Sequence, residues 1–260
     1  MSRGRRLEAH NAAPLHRPLL VPLPFMSSTL LKDTPAFTSR RDFFKRAGFG
    51  LGAAAAAVSL QACDSDDPID DNGDVVTLDF SSDFGVLNYA YALEQLEAGF
   101  YATVVGDAAF GSTFSTDEQG IFRDLAAHEA IHRDFFEAAI MGAGGTPIPD
   151  LTPDFSSIDF SDRDNVLAVS QTFEDLGVSA YNGAGKYIQN DAYLLLAGKI
   201  VSVEARHASV IAGLIMDNSI AASGQIDANG LDRALEPSAV LAAAGDFIQD
   251  DIALANVPTV

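Results

Sequence analysis

Two Glu-x-x-His sequences are the residues of this chain best suited to chemistry. One is Glu129-Ala-Ile-His132 and the other is Glu204-Ala-Arg-His207. Residues three apart on a helix lie on one face, so the carboxylate and the imidazole of each motif can bind the same metal cluster. The spacing therefore predicts a metal site built from oxygen and nitrogen ligands.

Each Glu-x-x-His follows a lone Glu and a Tyr, which makes the arrangement an internal repeat. Glu94 lies seven residues before Tyr101, and Glu174 lies seven residues before Tyr181. Seven residues make nearly two helical turns, so each Tyr falls on the same helix stripe as its own Glu. The two tyrosines are candidates for core packing, or for hydrogen bonding to the ligands and redox work.

Charge balance favours two divalent cations at this site. Four ionised Glu and two neutral His carry a charge of −4, and a buried carboxylate without a partner is costly. Only seven Lys and Arg follow Cys63, so basic side chains are too few to balance the cluster. The candidate metal ligands are Glu94, Glu129, His132, Glu174, Glu204 and His207.

Two other residues near the motifs carry alternatives. Glu97 lies three residues after Glu94 and could replace it or act as an extra ligand. His128 completes an H-E-x-x-H pattern with His132, which is typical of zinc proteases. The repeat has Val203 where the first histidine of that pattern would be, so we expect His128 to be dispensable for the metal.

Four amphipathic segments must position these residues. The periodicity predicts a first helix over 84–105, a second from a capping box at Ser115 and Glu118 to Gly142, a third from an N-cap at Ser161 to about 188, and a fourth over 192–217. The links within each pair are short, and about twenty residues join the pairs. The pattern predicts an all-α four-helix bundle over 83–218 with one long crossover between helices 2 and 3, and an extension over 219–260 with a short helix over 238–248.

The first part of the chain predicts export. Arg40 and Arg41 lie in Ser-Arg-Arg-Asp-Phe-Phe-Lys, a twin-arginine signal, and a weakly apolar stretch follows. Leu-Gln-Ala-Cys63 resembles the lipobox of bacterial lipoproteins, which implies a lipidated Cys63. We expect an export leader over 1–63, with Met26 as an alternative start, and an acidic tether over 64–82.

Composition excludes several partners and sites. After Cys63 the chain has seven basic and 33 acidic residues, a balance of −26, so nucleic acid and anionic lipid headgroups are disfavoured partners. A single cysteine excludes an intramolecular disulfide and a thiolate metal cluster. We expect membrane contact only through the lipid anchor, and a periplasmic or cell-surface location.

The combined motifs resemble a known family. The segments LNYAYALEQLEAGFY, FEDLGVSAYNGAG and VEARHASVIAGL are similar to the ferritin-like family that includes plant desiccation-related proteins. The resemblance implies the ligand set of di-iron and di-manganese carboxylate proteins, here the six residues named above. It also implies two Fe or Mn ions that act on dioxygen or peroxide, or metal handling in stress protection, and it leaves oligomers open. The alternative is a non-catalytic, structural or desiccation-protective bundle that keeps the fold.

Overall fold

The computed structural model describes residues 75–259, and four long helices dominate them. The leader with Arg40, Arg41 and Cys63 lies outside the described residues, as does most of the predicted tether. The long helices are α1 (Asp83–Gly106), α3 (Thr116–Gly142), α4 (Arg163–Ala184) and α5 (Asp191–Ile215), with a short α2 (Phe110–Thr113) between α1 and α3. No helix among residues 75–259 is both long enough and apolar enough to cross a membrane.

The long helices form two hairpins. Helix α1 packs along α3, α4 packs along α5, and α1 also contacts α4. Residues 143–162 join the hairpins without a helix of their own. The predicted all-α four-helix bundle with one long crossover is therefore confirmed.

Local capping explains where α3 and α4 begin. The predicted box at α3 is present: Glu118 N donates to Ser115 Oγ, and Ser115 N donates to Glu118 Oε2 at 2.8 Å. The predicted cap of α4 at Ser161 was wrong. Asp162 caps this helix by accepting from Asp164 N at 2.9 Å, because the Ser161 hydroxyl instead donates to Asp159 at 2.6 Å.

The ends of the helices agree with the periodicity except at α4. Helix α4 stops at Ala184, before the predicted end near 188, because the chain tightens into a 3₁₀ turn over Gly185–Tyr187. The ring of Tyr187 is buried there, and its hydroxyl donates to Glu236 at 2.6 Å. This contact ties the tight link between α4 and α5 to the C-terminal tail.

Two buried polar side chains of α1 hold the crossover against the bundle. Asn88 donates to Thr146 O at 3.1 Å and accepts from Ile148 N at 2.8 Å. About two turns further along the same helix face, Gln95 accepts from Leu151 N at 2.7 Å. Because these amides pair with backbone groups of the crossover, those groups keep hydrogen-bond partners where the loop covers α1.

Strands β1 (Val76–Asp79) and β2 (Ile252–Ala255) pair in parallel, which the sequence did not indicate. Residues 76–79 belong to the stretch predicted as a tether, but they form a strand that contacts α1. The side chains of Val76 and Leu78 are buried, whereas those of Thr77 and Asp79 are exposed. This alternation explains why the segment is ordered as a strand against the core.

The tail after α5 returns to the bundle. Helix α6 (Pro237–Ala244) and a 3₁₀ turn (Gly245–Phe247) occupy the place of the predicted short helix, and α6 packs against α4. Leu235 N donates to Ser179 O at 2.9 Å. A Cβ at Gly183 would lie 1.7 Å from Leu235 O, so glycine is what permits this close approach.

Candidate metal centre

The structure brings the six sequence-predicted ligands together in the interior of the bundle. Helices α1 and α4 each contribute one Glu, and α3 and α5 each contribute a Glu and a His. The four carboxylate residues are fully buried, and the two histidines are at most 9% exposed. The six residues are Glu94, Glu129, His132, Glu174, Glu204 and His207.

These side chains form two overlapping groups, each with three Glu and one His. In each group the potential ligand atoms all lie within 4.8 Å of one another. The first group is Glu94, Glu129, His132 and Glu204, and the second is Glu129, Glu174, Glu204 and His207. Buried Glu and His groups of this kind could hold metal ions.

Glu129 and Glu204 belong to both groups because their two oxygens face opposite ways. Glu129 has Oε2 at 3.2 Å from His132 Nδ1 and Oε1 at 2.7 Å from His207 Nδ1. Glu204 has Oε1 at 2.8 Å from His132 Nδ1 and Oε2 at 3.8 Å from His207 Nδ1. This is the orientation that a carboxylate needs in order to bridge two cations.

Several buried atoms of the cluster have no hydrogen-bond partner, which tests whether the site fits a metal. His207 Nδ1 and Glu129 Oε1 are close, yet they are not aligned as a hydrogen bond. Both oxygens of Glu204 are also unpaired. Unpaired buried polar atoms are rare and costly. Oxygen and nitrogen atoms that converge without hydrogen bonds fit a cation that would ligate them.

The carboxylates strongly favour the protonated form of both histidines when no cation is present. Burial opposes the positive charge on His132, but the nearby carboxylates of Glu129, Glu204 and Glu94 raise its pKa to about 12. Burial likewise opposes the charge on His207, and its neighbours Glu129, Glu174 and Glu204 raise its pKa to about 12. A metal would therefore have to displace a proton from each ring.

The carboxylates themselves divide into two classes. Burial disfavours ionised Glu129, but the nearby imidazoles of His132 and His207 lower its pKa to about 2. Burial raises the pKa of Glu174 to about 8. Burial and then the charge of Glu204 raise the pKa of Glu94 well above its usual range. Protons thus neutralise part of the cluster, and cations would take their place.

Each tyrosine of the repeat contacts the lone Glu of the opposite hairpin. Tyr101 on α1 donates to Glu174 Oε1 at 2.5 Å, and Tyr181 on α4 donates to Glu94 Oε1. The sequence placed each Tyr near its own Glu, and it gave no signal of this exchange. The other oxygen of each carboxylate, Oε2 of Glu94 and of Glu174, has no hydrogen-bond partner inside the cluster.

Glu97 lies beside the cluster but belongs to neither group of potential ligands. Its side chain is 3% exposed and Oε2 has no hydrogen-bond partner. Burial and then the charge of Glu204 raise its pKa well above the usual range. The repeat has Gly177 at the equivalent position, and a Cβ there would lie 2.9 Å from Glu97 Oε1. Glycine on α4 thus makes room for the extra carboxyl group of α1.

His128 is exposed and also lies outside both groups. The zinc-protease pattern would need His128 and His132 to face one metal, and the structure does not bring them together in that way. His128 Nδ1 instead lies 2.9 Å from His207 Nε2, with the two rings nearly parallel. The H-E-x-x-H pattern was the one sequence signal at this position, and it pointed to a different role.

The helical part of the chain matches a known protein family. A family model described as a ferritin-like domain matches residues 82–217. This range includes all four long helices and all six candidate ligands. A search of curated proteins found no match.

Proposed function

Because the chain belongs to the ferritin-like domain family, we propose that its buried cluster holds two Fe or Mn ions. The ions would act on dioxygen or peroxide, or be handled as cargo, in protection against stress. The observation that carries this proposal is the position of Glu129 and Glu204, each of which faces both histidines with a different oxygen.

The donor set supports iron or manganese over other metals. Carboxylate oxygens outnumber imidazole nitrogens in both groups, and no cysteine lies among residues 75–259. Such ligands suit Fe and Mn better than copper or structural zinc, which favour softer or closed sets. When bound, the two metal ions would supply redox chemistry toward a small oxidant.

The residues around the cluster would hold the ligands and exclude water. Tyr101 and Tyr181 each donate to one oxygen of Glu174 and Glu94, which orients the other oxygen toward the cluster. Complete burial of the carboxylates keeps bulk water away and strengthens the attraction between ligands and cations. Small oxidants are therefore the substrates that this interior supports best.

Anaerobic reconstitution with Fe(II) or Mn(II), followed by metal analysis, tests the proposal. The purified protein should retain about two ions per chain, the number that a ferritin-like carboxylate site holds. Glu204→Gln should retain fewer than one, because an amide has only one oxygen and cannot bridge. Glu137→Gln, on the exposed face of α3, is the matched control and should match the wild type. Equal metal content in wild type and Glu204→Gln would overturn the proposal.

Exposure of the loaded protein to dioxygen and to peroxide separates catalysis from a structural role. We expect ferrous oxidation or peroxide consumption that Glu204→Gln loses. A wild-type protein that keeps both ions and consumes neither oxidant would favour the alternative, a non-catalytic structural or desiccation-protective bundle.

We further propose export by the twin-arginine route and a lipid anchor at Cys63. The twin arginines, the apolar stretch and the cysteine occur in the order that such a leader requires. This route would place the bundle in the periplasm or at the cell surface. The balance of −26 after Cys63 disfavours nucleic acid as a partner, and the buried cluster favours metal ions and small oxidants.

A further inference from the structure

The two nitrogens of His207 face different surroundings. Nδ1 points into the cluster, 2.7 Å from Glu129 Oε1. Nε2 points outward and lies 2.9 Å from His128 Nδ1, with an angle of 12° between the ring planes. If Nδ1 binds a cation, Nε2 must carry the ring proton, and this N–H donates a hydrogen bond to His128 Nδ1.

His132 has no such outer partner among residues 75–259. Its Nδ1 faces Glu204, Glu129 and Glu94 at 2.8 to 3.4 Å, and the part of the chain that the structure describes offers no hydrogen-bond partner to its Nε2. The repeat explains the difference, because the residue before Glu204 is Val203, where the other motif has His128. A valine side chain cannot accept a hydrogen bond.

We propose that His128 is a positioning residue that orients His207 and makes the two metal positions unequal. The inference rests on the proposed two-metal function. A hydrogen bond to the outer nitrogen of a ligating histidine fixes its tautomer and ring orientation and raises its basicity. The position bounded by Glu129, Glu174, Glu204 and His207 should therefore bind the first ion more tightly than the position beside His132.

This inference changes what the repeat alone implies. Equivalent motifs predict that both histidines contribute equally and that His128 contributes nothing. The contact predicts two separate binding steps, of which only the tighter one depends on His128. Loss of such a partner typically weakens metal affinity by about 10- to 100-fold.

Anaerobic titration of the metal-free protein with Co(II), followed by visible absorption, tests the proposal. The wild type should bind two ions in two steps. His128→Phe keeps an aromatic ring and removes the acceptor, so it should weaken the first step by about 10- to 100-fold and change the absorption of the first ion. His128→Asn places an acceptor oxygen near the position of Nδ1 and should restore most of the affinity.

Controls separate this role from a structural one. Ile131→Phe, at a position 55% exposed on the same helix, should leave both steps unchanged. The metal-free His128→Phe and His128→Asn proteins should melt at the wild-type temperature, because His128 is exposed. Two ions bound by His128→Phe with wild-type affinities and spectrum would overturn the inference alone. A wild type that binds no Co(II) in the cluster would overturn the proposed function with it.

Discussion

Metal loading should expel about four protons from the cluster at pH 7, because cations and protons compete for the same atoms. His132 and His207 have pKa values of about 12, so each ring is a doubly protonated imidazolium that must lose one proton to bind a cation. Glu174, with a pKa of about 8, carries most of another, and the raised pKa of Glu94 supplies a fourth. Two divalent cations bring the same charge that the four protons remove.

This exchange sets the pH dependence of metal affinity. Each displaced proton changes the metal-binding constant about tenfold per pH unit. Four protons shared by two ions therefore change the affinity for each ion about 100-fold per pH unit. The raised pKa values of the histidines mean that the metal-free protein holds these protons tightly, so affinity falls as pH falls. Above about pH 8 the slope should decrease, because Glu174 no longer carries its proton.

Calorimetric titration with Mn(II) in two buffers of different ionisation enthalpy measures the proton count directly. Oxygen should be excluded so that no oxidation contributes protons. Glu174→Gln should release about one proton fewer, because the amide does not titrate in this range. The exposed Glu137→Gln should release the same number as the wild type. Two bound Mn(II) with less than one proton released, or affinity that is flat between about pH 6 and 8, would refute the reasoning.

Two further predictions concern the tail and the leader. Gly183→Ala should destabilise the protein by about 1–3 kcal/mol in denaturant unfolding, because the added Cβ meets a tail carbonyl oxygen at 1.7 Å. Gly198→Ala, where a Cβ meets nothing within 4 Å, should instead stabilise by about 0.5–1 kcal/mol, and equal effects would contradict this account. Replacing Arg40 and Arg41 with Lys should leave the precursor in the cytoplasm, and Cys63→Ala should move exported protein to the soluble fraction in cell fractionation. Normal export of the double-Lys variant would argue against the twin-arginine leader.

Much of the fold could be read from local patterns. The capping box at Ser115 marks the start of α3 because both of its hydrogen bonds join residues three apart. The same reasoning failed at Ser161, because its hydroxyl donates a hydrogen bond to Asp159 and Asp162 caps α4 instead. Strand β1 could not be predicted, because its partner β2 lies at the far end of the chain.

The inventory of the candidate site also came from spacing alone. Residues i and i+3 share a helix face in any helix, so each Glu-x-x-His was expected to act as a unit before the fold was known. The repeat supplied the lone Glu of each pair. Their convergence in one cluster agrees with this expectation, and their role as metal ligands stays a prediction.

The pairings around the cluster depend on tertiary structure. Tyr101 bonds to Glu174 across 73 residues, and His128 contacts His207 across 79. Periodicity orients a side chain relative to its own helix axis and contains nothing about the rotation or height of the opposite hairpin. Sequence by itself determined which residues enter the core and on which helices, because those preferences are local. Only the packing of one hairpin against the other decided which tyrosine orients which carboxylate, and which histidine supports His207.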